Sequence, residues 1–432
     1  MLKILSDQSF EDCRGLRRRD FLKVGSLGLG GFALPGLLQA RAHAAPGTAK
    51  DTSVVWLWLG GGATHIETFD PKMDAPSEYR SVTGEVKTSL PGVTLGGTFP
   101  KMARVADRMA FVRSFTHKNS GHGGGTHWLM TGFDNRIVDN GGAPSHPSIC
   151  AILSRVRGSN HPKTGMPTYV RQGRVSYDVP AFLGAAYAPF DPSGGAGANL
   201  TLKVPRERFE DRRHLLESLD TLNRQVDQNG IIEGTDKFEQ QAMNTVLGNV
   251  SKAFDVKNED PKTAEKYGNR LGQQMLMARR LCEAGCGFVT VSYGGWDMHG
   301  DIRKAMENRS PELDHAVATF IEDLRERGLD KKILLVITGE FGRTPKVNTG
   351  GGRDHWAPLS TLALAGGGLR MGQVVGESAP KADVPRSNPV SPQDLMATIF
   401  HVLGIDPAVQ FVDTFGRPKY MIEGGRPIRE LI

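Results

Sequence analysis

A chain of 432 residues, 39% hydrophobic and 23% charged, is long enough to bury a core without covalent staples, and its composition excludes a disordered or fibrous protein. The formal net charge is +6, and residues 1–44 hold seven Lys/Arg against four Asp/Glu, so the rest is nearly balanced and carries no electrostatic footprint for nucleic acid. Of the four cysteines, Cys13 lies in that leading stretch; the odd remainder, Cys150, Cys282 and Cys286, speaks against a disulfide framework.

The leading stretch reads as an export signal. Arg17-Arg18-Arg19-Asp20-Phe21-Leu22-Lys23 matches a twin-arginine motif with Arg18 and Arg19 as the pair. Val24 to Leu38 is a short apolar run broken by glycines and Pro35, and Ala42-His43-Ala44 is a small-x-small cleavage site. The expectation is a periplasmic or extracellular protein with no stable membrane anchor once residues 1–44 are removed. Residues 45–432 are expected to form one domain.

Ser53 to Leu59 is a continuous apolar run, the signature of a core strand in a parallel sheet. It leads into Gly60-Gly61-Gly62-Ala63-Thr64-His65, where His65 breaks the glycine spacing of a dinucleotide loop. His65 and Asp70 are therefore candidate metal ligands on a strand-end loop, with capping of the turn at Pro71 as the alternative for Asp70. A short helix is expected over Phe99–Ala106 and a second strand over Met109–Phe115. The loop that follows carries His117, His122 and His127 at intervals of five, among glycines and the hydroxyls of Ser120 and Thr126. Neutral imidazoles on backbone stripped of side chains suit a zinc-like ion. A helix beginning near Thr126 would favour an anion at its N-terminus.

A helix is expected over Ser148–Gly158, then a Gly/Pro-rich stretch. Long helical periods follow over Arg206–Val226, Asp236–Phe254 and Thr263–Ala284, read as a helical insertion at about 206–284. Cys282 and Cys286 read as small buried residues on its end rather than as a zinc pair. Three glycine-bearing segments then come in order. Gly294-Gly295-Trp296-Asp297-Met298-His299 follows the strand-like Cys286–Tyr293, and Gly339-Glu340-Phe341-Gly342-Arg343 follows the strand-like Lys332–Thr338. Gly350-Gly351-Gly352-Arg353-Asp354-His355 precedes the apolar run Leu359–Ala365. Strands that end in glycine plus an acid or histidine place a site at the carboxyl edge of an α/β sheet. Between the first two, Ser310 and Pro311 are expected to open a helix that ends at Gly328. The glycines of 366–368 and the run Gln373–Gly376 suggest a β-turn-β return, and Ser391 should cap a final helix, Pro392–Leu403, stopped at Gly404.

The helix Ser391–Ile405 resembles the closing helix of sulfatases and alkaline phosphatases. The Gly-Gly-Trp-Asp-Met-His, Gly-Glu-Phe-Gly-Arg-Thr-Pro and Asp-His-Trp segments, with Gly-Gly-Gly-Ala-Thr-His and Phe-Asp-Pro near the start, resemble the exported bacterial family known as domain of unknown function 1501. The resemblance covers about residues 50–410. It implies an alkaline-phosphatase-like three-layer sandwich with a mostly parallel central sheet, and a divalent-metal hydrolase of phosphate or sulfate esters. It further implies Asp297, His299 and His355 as the ligands of one ion, with Glu340 standing where a second metal's acid is expected. Zinc is the first candidate, with calcium, magnesium and manganese behind it. Against the alkaline-phosphatase superfamily pattern, Phe341 follows Glu340 where His or Asn is usual, and Gly60–Gly62 replaces an acid after the first strand. Ser120, Thr126 and His122 all remain candidates for the catalytic group, and Arg343 for stabilising developing negative charge. Two other readings stand beside hydrolysis: a non-catalytic protein holding a sulfated or phosphorylated glycan, and an envelope component docking a protein partner through the helical region.

Overall fold

A computed structural model of the chain describes residues 50–193, 250–268 and 270–432. The export signal, the helix expected over Arg206–Val226 and most of that over Asp236–Phe254 lie outside the described residues. No helix among the described residues is long and apolar enough to cross a membrane.

The centre is a seven-stranded sheet built from β1 (Ser53–Trp58), β2 (Met109–Val112), β3 (Tyr169–Gln172), β4 (Phe288–Ser292), β5 (Ile333–Thr338), β8 (Leu362–Gly366) and β9 (Gln373–Val375), in the order β9-β2-β8-β5-β1-β4-β3. Two short strands, β6 (Gly342–Arg343) and β7 (His355–Trp356), pair with each other outside it. β1 runs parallel to both β4 and β5, and β3 parallel to β4; β8 is antiparallel to β5 and β2. β1 has no polar alternation because both its faces are covered. Val55 and Leu57 enter one core, with α1 (Pro100–Arg104), α4 (Arg270–Glu283) and α5 (Ile302–Glu326). Val54, Trp56 and Trp58 enter the other, with α2 (His122–Thr131), α3 (Ile149–Arg157) and α6 (Pro392–Leu403). The fold is an α/β sandwich of three layers around a mostly parallel sheet. Leu57 has no solvent exposure, and trimming it to alanine would cost about 2–5 kcal/mol.

Several expectations change. The return after Gly366–Gly368 is not a hairpin: β9 crosses to the far side of β2 and pairs with it in parallel. The helix Thr263–Ala284 is two, Pro261–Tyr267 and α4. On α4, Arg279 is buried against Glu259, Glu283 and Asp323. α5 begins a full two turns before Ser310, capped by Asp301, whose side chain accepts from the Lys304 amide. Pro311 sits inside it and denies the Glu307 carbonyl its partner, a defect of about 3 kcal/mol. Burial of Ile302 and Met306 on the first turns holds the helix across that break. The Ser310 hydroxyl is not a cap; it bonds back to the Met306 carbonyl at 2.7 Å. α6 forms as read, with a Ser391–Asp394 capping box and Gly404 in the left-handed region.

Candidate metal centre

β4, β1 and β5 are adjacent and parallel, so the loops leaving their carboxyl ends meet at one edge of the sheet. The β4 loop supplies Asp297 and His299, the β5 loop Glu340 and Arg343, and the β1 loop the backbone of Gly61 and Gly62. α2 adds His122 at its first turn and β7 adds His355. Gly61 is required here. Its φ is +108°, and a Cβ would lie 2.5 Å from the Asp297 nitrogen.

Asp297 Oδ1 lies 2.9 Å from His299 Nε2 and 3.1 Å from His355 Nε2, and these two nitrogens are 3.1 Å apart. On its other side, Asp297 Oδ2 is 3.4 Å from His122 Nε2. The ligand atoms of His122, Asp297 and His355 all fall within 4.8 Å of one another. Each imidazole is fixed from behind through Nδ1. His355 Nδ1 donates to the Ser120 carbonyl at 3.0 Å, His299 Nδ1 to Asp354 at 2.7 Å, and His122 Nδ1 to Glu340 Oε1 at 2.7 Å. All three acceptors are oxygens, so in the neutral rings the proton sits on Nδ1 and the lone pair on Nε2, facing Asp297.

Two imidazole nitrogens 3.1 Å apart beside a carboxylate oxygen make a cluster rich in lone pairs, whose built-in cation is Arg343, with Nη2 against Asp297 Oδ1 and Nη1 3.5 Å from His299 Nε2. A divalent ion held at about 2.0–2.1 Å sets neighbouring donors about 2.8–3.4 Å apart, from octahedral to tetrahedral geometry. The Asp297–His299–His355 triangle fits that spacing, and outer oxygens on each Nδ1 are the usual support for ligating histidines. Glu340 adds a further donor. Its Oε1 accepts from the Gly61 amide at 2.9 Å and from His122, while its buried Oε2 has no hydrogen-bond partner among the described residues.

Arg343 is a fixed positive charge at this edge. Its side chain is fully buried and donates to the carbonyls of Gly61, Gly62 and Arg353 and, at 2.5 Å, to Asp297 Oδ1. Burial works against ionisation of Asp297, but Arg343 and His355 hold its carboxyl well below the usual range. The hydrogen bond to Glu340 pushes His122 up, and burial pushes His355 down. Phe341 is buried, its ring 5.0 Å from that of His122 and 4.4 Å from that of His355. An apolar side chain where a polar one was expected thus packs the two imidazoles in place.

The remaining sequence candidates are not brought to the cluster by their side-chain groups. His65 donates from Nε2 to the Ala382 carbonyl and is lowered to about 4 by burial. Asp70 binds Ser378 and pairs with Lys72 and Arg113. α2 begins at His122 rather than near Thr126, so the Thr126 hydroxyl points back along the helix to the His122 carbonyl, 2.6 Å away. The Ser120 hydroxyl receives the Ala357 amide; only its carbonyl serves the site. Of the three evenly spaced histidines, His117 and His127 are buried, His127 on the Phe133 carbonyl and the Ser145 amide. Asp354, which the sequence did not single out as a site residue, orients His299. Its place in the same glycine-rich motif was the signal available for it. Cys150, Cys282 and Cys286 are free buried thiols, all pushed up by burial.

The chain is similar in structure to the phosphonate monoester hydrolase SpPMH from Silicibacter pomeroyi (TM-score 0.44, 13% identity, 88% of this chain and 76% of that one). It is also similar to the PsFucS1 sulfatase from Pseudoalteromonas sp. (0.40, 13%, 90% and 72%) and to the lipoteichoic acid synthase LtaP from Listeria monocytogenes (0.39, 10%, 89% and 77%). At these distances the chemistry has to be read from this chain's own residues. No curated protein matches. Residues 51–432 match the model of a protein family of unknown function, DUF1501, and the chain belongs to that family.

Proposed function

We propose that the protein is a metal-dependent hydrolase of phosphate or sulfate esters. One observation carries this reading: three imidazoles from three separate segments turn their Nε2 atoms onto Asp297, each locked by an oxygen at Nδ1. Packing alone has no use for that arrangement. Asp297, His299 and His355 would hold the ion, and two nitrogens with one carboxylate oxygen favour zinc. A bound divalent ion supplies Lewis-acid polarisation of the ester and of the attacking water.

The chain's own residues do the rest. Arg343 and the N-terminal end of α2 offer fixed positive charge to the anionic ester and to the charge that develops on it. His122, backed by the buried Glu340 carboxylate and with its side chain 45% exposed, is placed to pass a proton to the leaving oxygen. The Thr126 hydroxyl is engaged with the His122 carbonyl and the Ser120 hydroxyl with the Ala357 amide, and in this proposal the attacking oxygen is that of water. Residues 1–44 support export by the twin-arginine route and action outside the cytoplasm.

The test is metal analysis of the purified protein, followed by a panel of aryl and sugar phosphate and sulfate esters with and without chelator. Bound divalent ion, cleavage lost on chelation and restored on readdition, and loss of both in His299→Ala are expected. A protein that takes up no ion and cleaves no ester overturns the proposal. Ester binding without turnover, indifferent to chelator, overturns the hydrolase in favour of a binding protein.

A further inference from the structure

Beneath the cluster, Glu67 and Arg353 form an ion pair in which neither side chain has any solvent exposure. Arg353 Nε lies 3.0 and 3.2 Å from the two carboxylate oxygens, and Nη2 lies 2.9 Å from Oε1. The rest of the guanidinium is spent on carbonyls, those of Thr344, Pro345 and Arg80 among them. Glu67 is itself held by the Thr64 hydroxyl at 2.6 Å and the Val82 amide at 3.2 Å, so the carboxylate is part of the loop that leaves β1. A buried ion pair of this kind contributes little net stability over apolar packing. Its backbone contacts show what else it does. The Arg353 amide donates to the carbonyl of Met298, the residue between Asp297 and His299, at 3.0 Å. The Arg353 carbonyl accepts from Arg343 Nη1 at 3.1 Å. The next two residues are Asp354, which holds His299, and His355. The preceding Gly352 lies so close that a Cβ would overlap the His299 backbone.

We infer that the Glu67–Arg353 pair is the positioning element of the metal centre: it sets Asp297, His299, Arg343 and His355 in register from one buried anchor without touching substrate or ion. The inference rests on the metal reading above. Glu67→Gln keeps the shape and removes the charge, leaving one amide group facing guanidinium donors. Arg353→Lys keeps the charge and removes the planar fork. Both are expected to weaken divalent-ion affinity about 10- to 100-fold, as loss of outer-shell support does at other metal centres. Both are also expected to change the visible spectrum of the cobalt-loaded protein.

The readout is ion affinity by chelator competition, well below the melting temperature, beside the cobalt spectrum. Leu276→Ala, a core substitution, serves as a control of lowered stability. A purely structural pair would lower the melting temperature as the control does and leave affinity and spectrum at wild-type values; that result overturns the inference. If Glu67→Gln does not fold, Thr64→Val removes one anchor of the carboxylate and keeps both charges. A loss of about three-fold or more in affinity then supports the inference, and none overturns it. A wild type that binds no ion sinks the reading of the site. A wild type that binds, with every variant binding equally, sinks only the positioning role.

Discussion

Asp354→Asn tests the support behind one ligand. Asp354 Oδ1 takes the His299 Nδ1 proton at 2.7 Å and also receives the Asn348 amide at 3.3 Å. The loop around it is held by backbone bonds that the substitution leaves alone, between Thr344 and Asp354. Asparagine can still accept the Nδ1 proton, so the tautomer survives; what goes is the negative charge that makes the imidazole a stronger donor. Second-shell changes of this kind cost 10- to 100-fold in metal affinity, about 1.4–2.7 kcal/mol. Asp354 is 54% exposed, so water screens its charge and the lower end, about ten-fold, is expected. Asp354→Ala removes the acceptor as well and should move toward the upper end. The assay is zinc or cobalt competition against a chromophoric chelator, with thermal unfolding of the metal-stripped protein as the control for folding. Unchanged affinity in both variants, with folding intact, would refute the claim that outer oxygens hold the imidazoles for an ion.

Gly61→Ala places a Cβ against the Asp297 backbone at a φ of +108°; denaturant unfolding should show a loss of about 2–4 kcal/mol, with weakened ion binding, and wild-type values in both would contradict the close approach. Thr126→Val loses only a helix back-bond; it should cost about 1 kcal/mol or less and keep ester cleavage within about two-fold, whereas abolished turnover in a folded protein would restore Thr126 as a nucleophile. Burial opposes ionisation of Glu259, but bonds from Arg280 and Arg279 outweigh it and lower its pKa from 4.5 to about 2. Its contribution to stability is therefore complete above pH 4.5 and is lost as pH falls through about 2. The stability gap between wild type and Glu259→Gln, followed by urea unfolding, should narrow across that window, and a gap independent of pH would refute the assignment.

The sheet edge was legible because β1, β4 and β5 are strand-like, mostly apolar runs, each followed within a few residues by glycine and then an acid or histidine. That order of residues can hardly serve any purpose but a strand-end loop. Which residues of a loop face inward was not legible. His65, Glu67 and Asp70 share one turn, and no period distinguishes them; the structure turns Glu67 to Arg353 and the other two away. The same limit applied to the histidines spaced by five, where only the start of α2 decides that His122 alone looks outward. Ser310-Pro311 looked like a helix start because local rules favour one there, and tertiary burial of the preceding turns overrode them.

Arg343 has a consequence for the order of events in the life of the chain. Its guanidinium already neutralises Asp297 and ties down the carbonyls of Gly61 and Gly62. The counter-charge this corner needs is therefore covalently built in, and no ion has to arrive for the backbone to settle. Under the proposed metal reading, folding and ion uptake become separate steps, unlike a zinc finger, whose backbone collapses only around its ion. Under the proposed function, the stripped protein should stay folded, its melting transition lowered by no more than ion binding itself contributes, and should take the ion back without refolding.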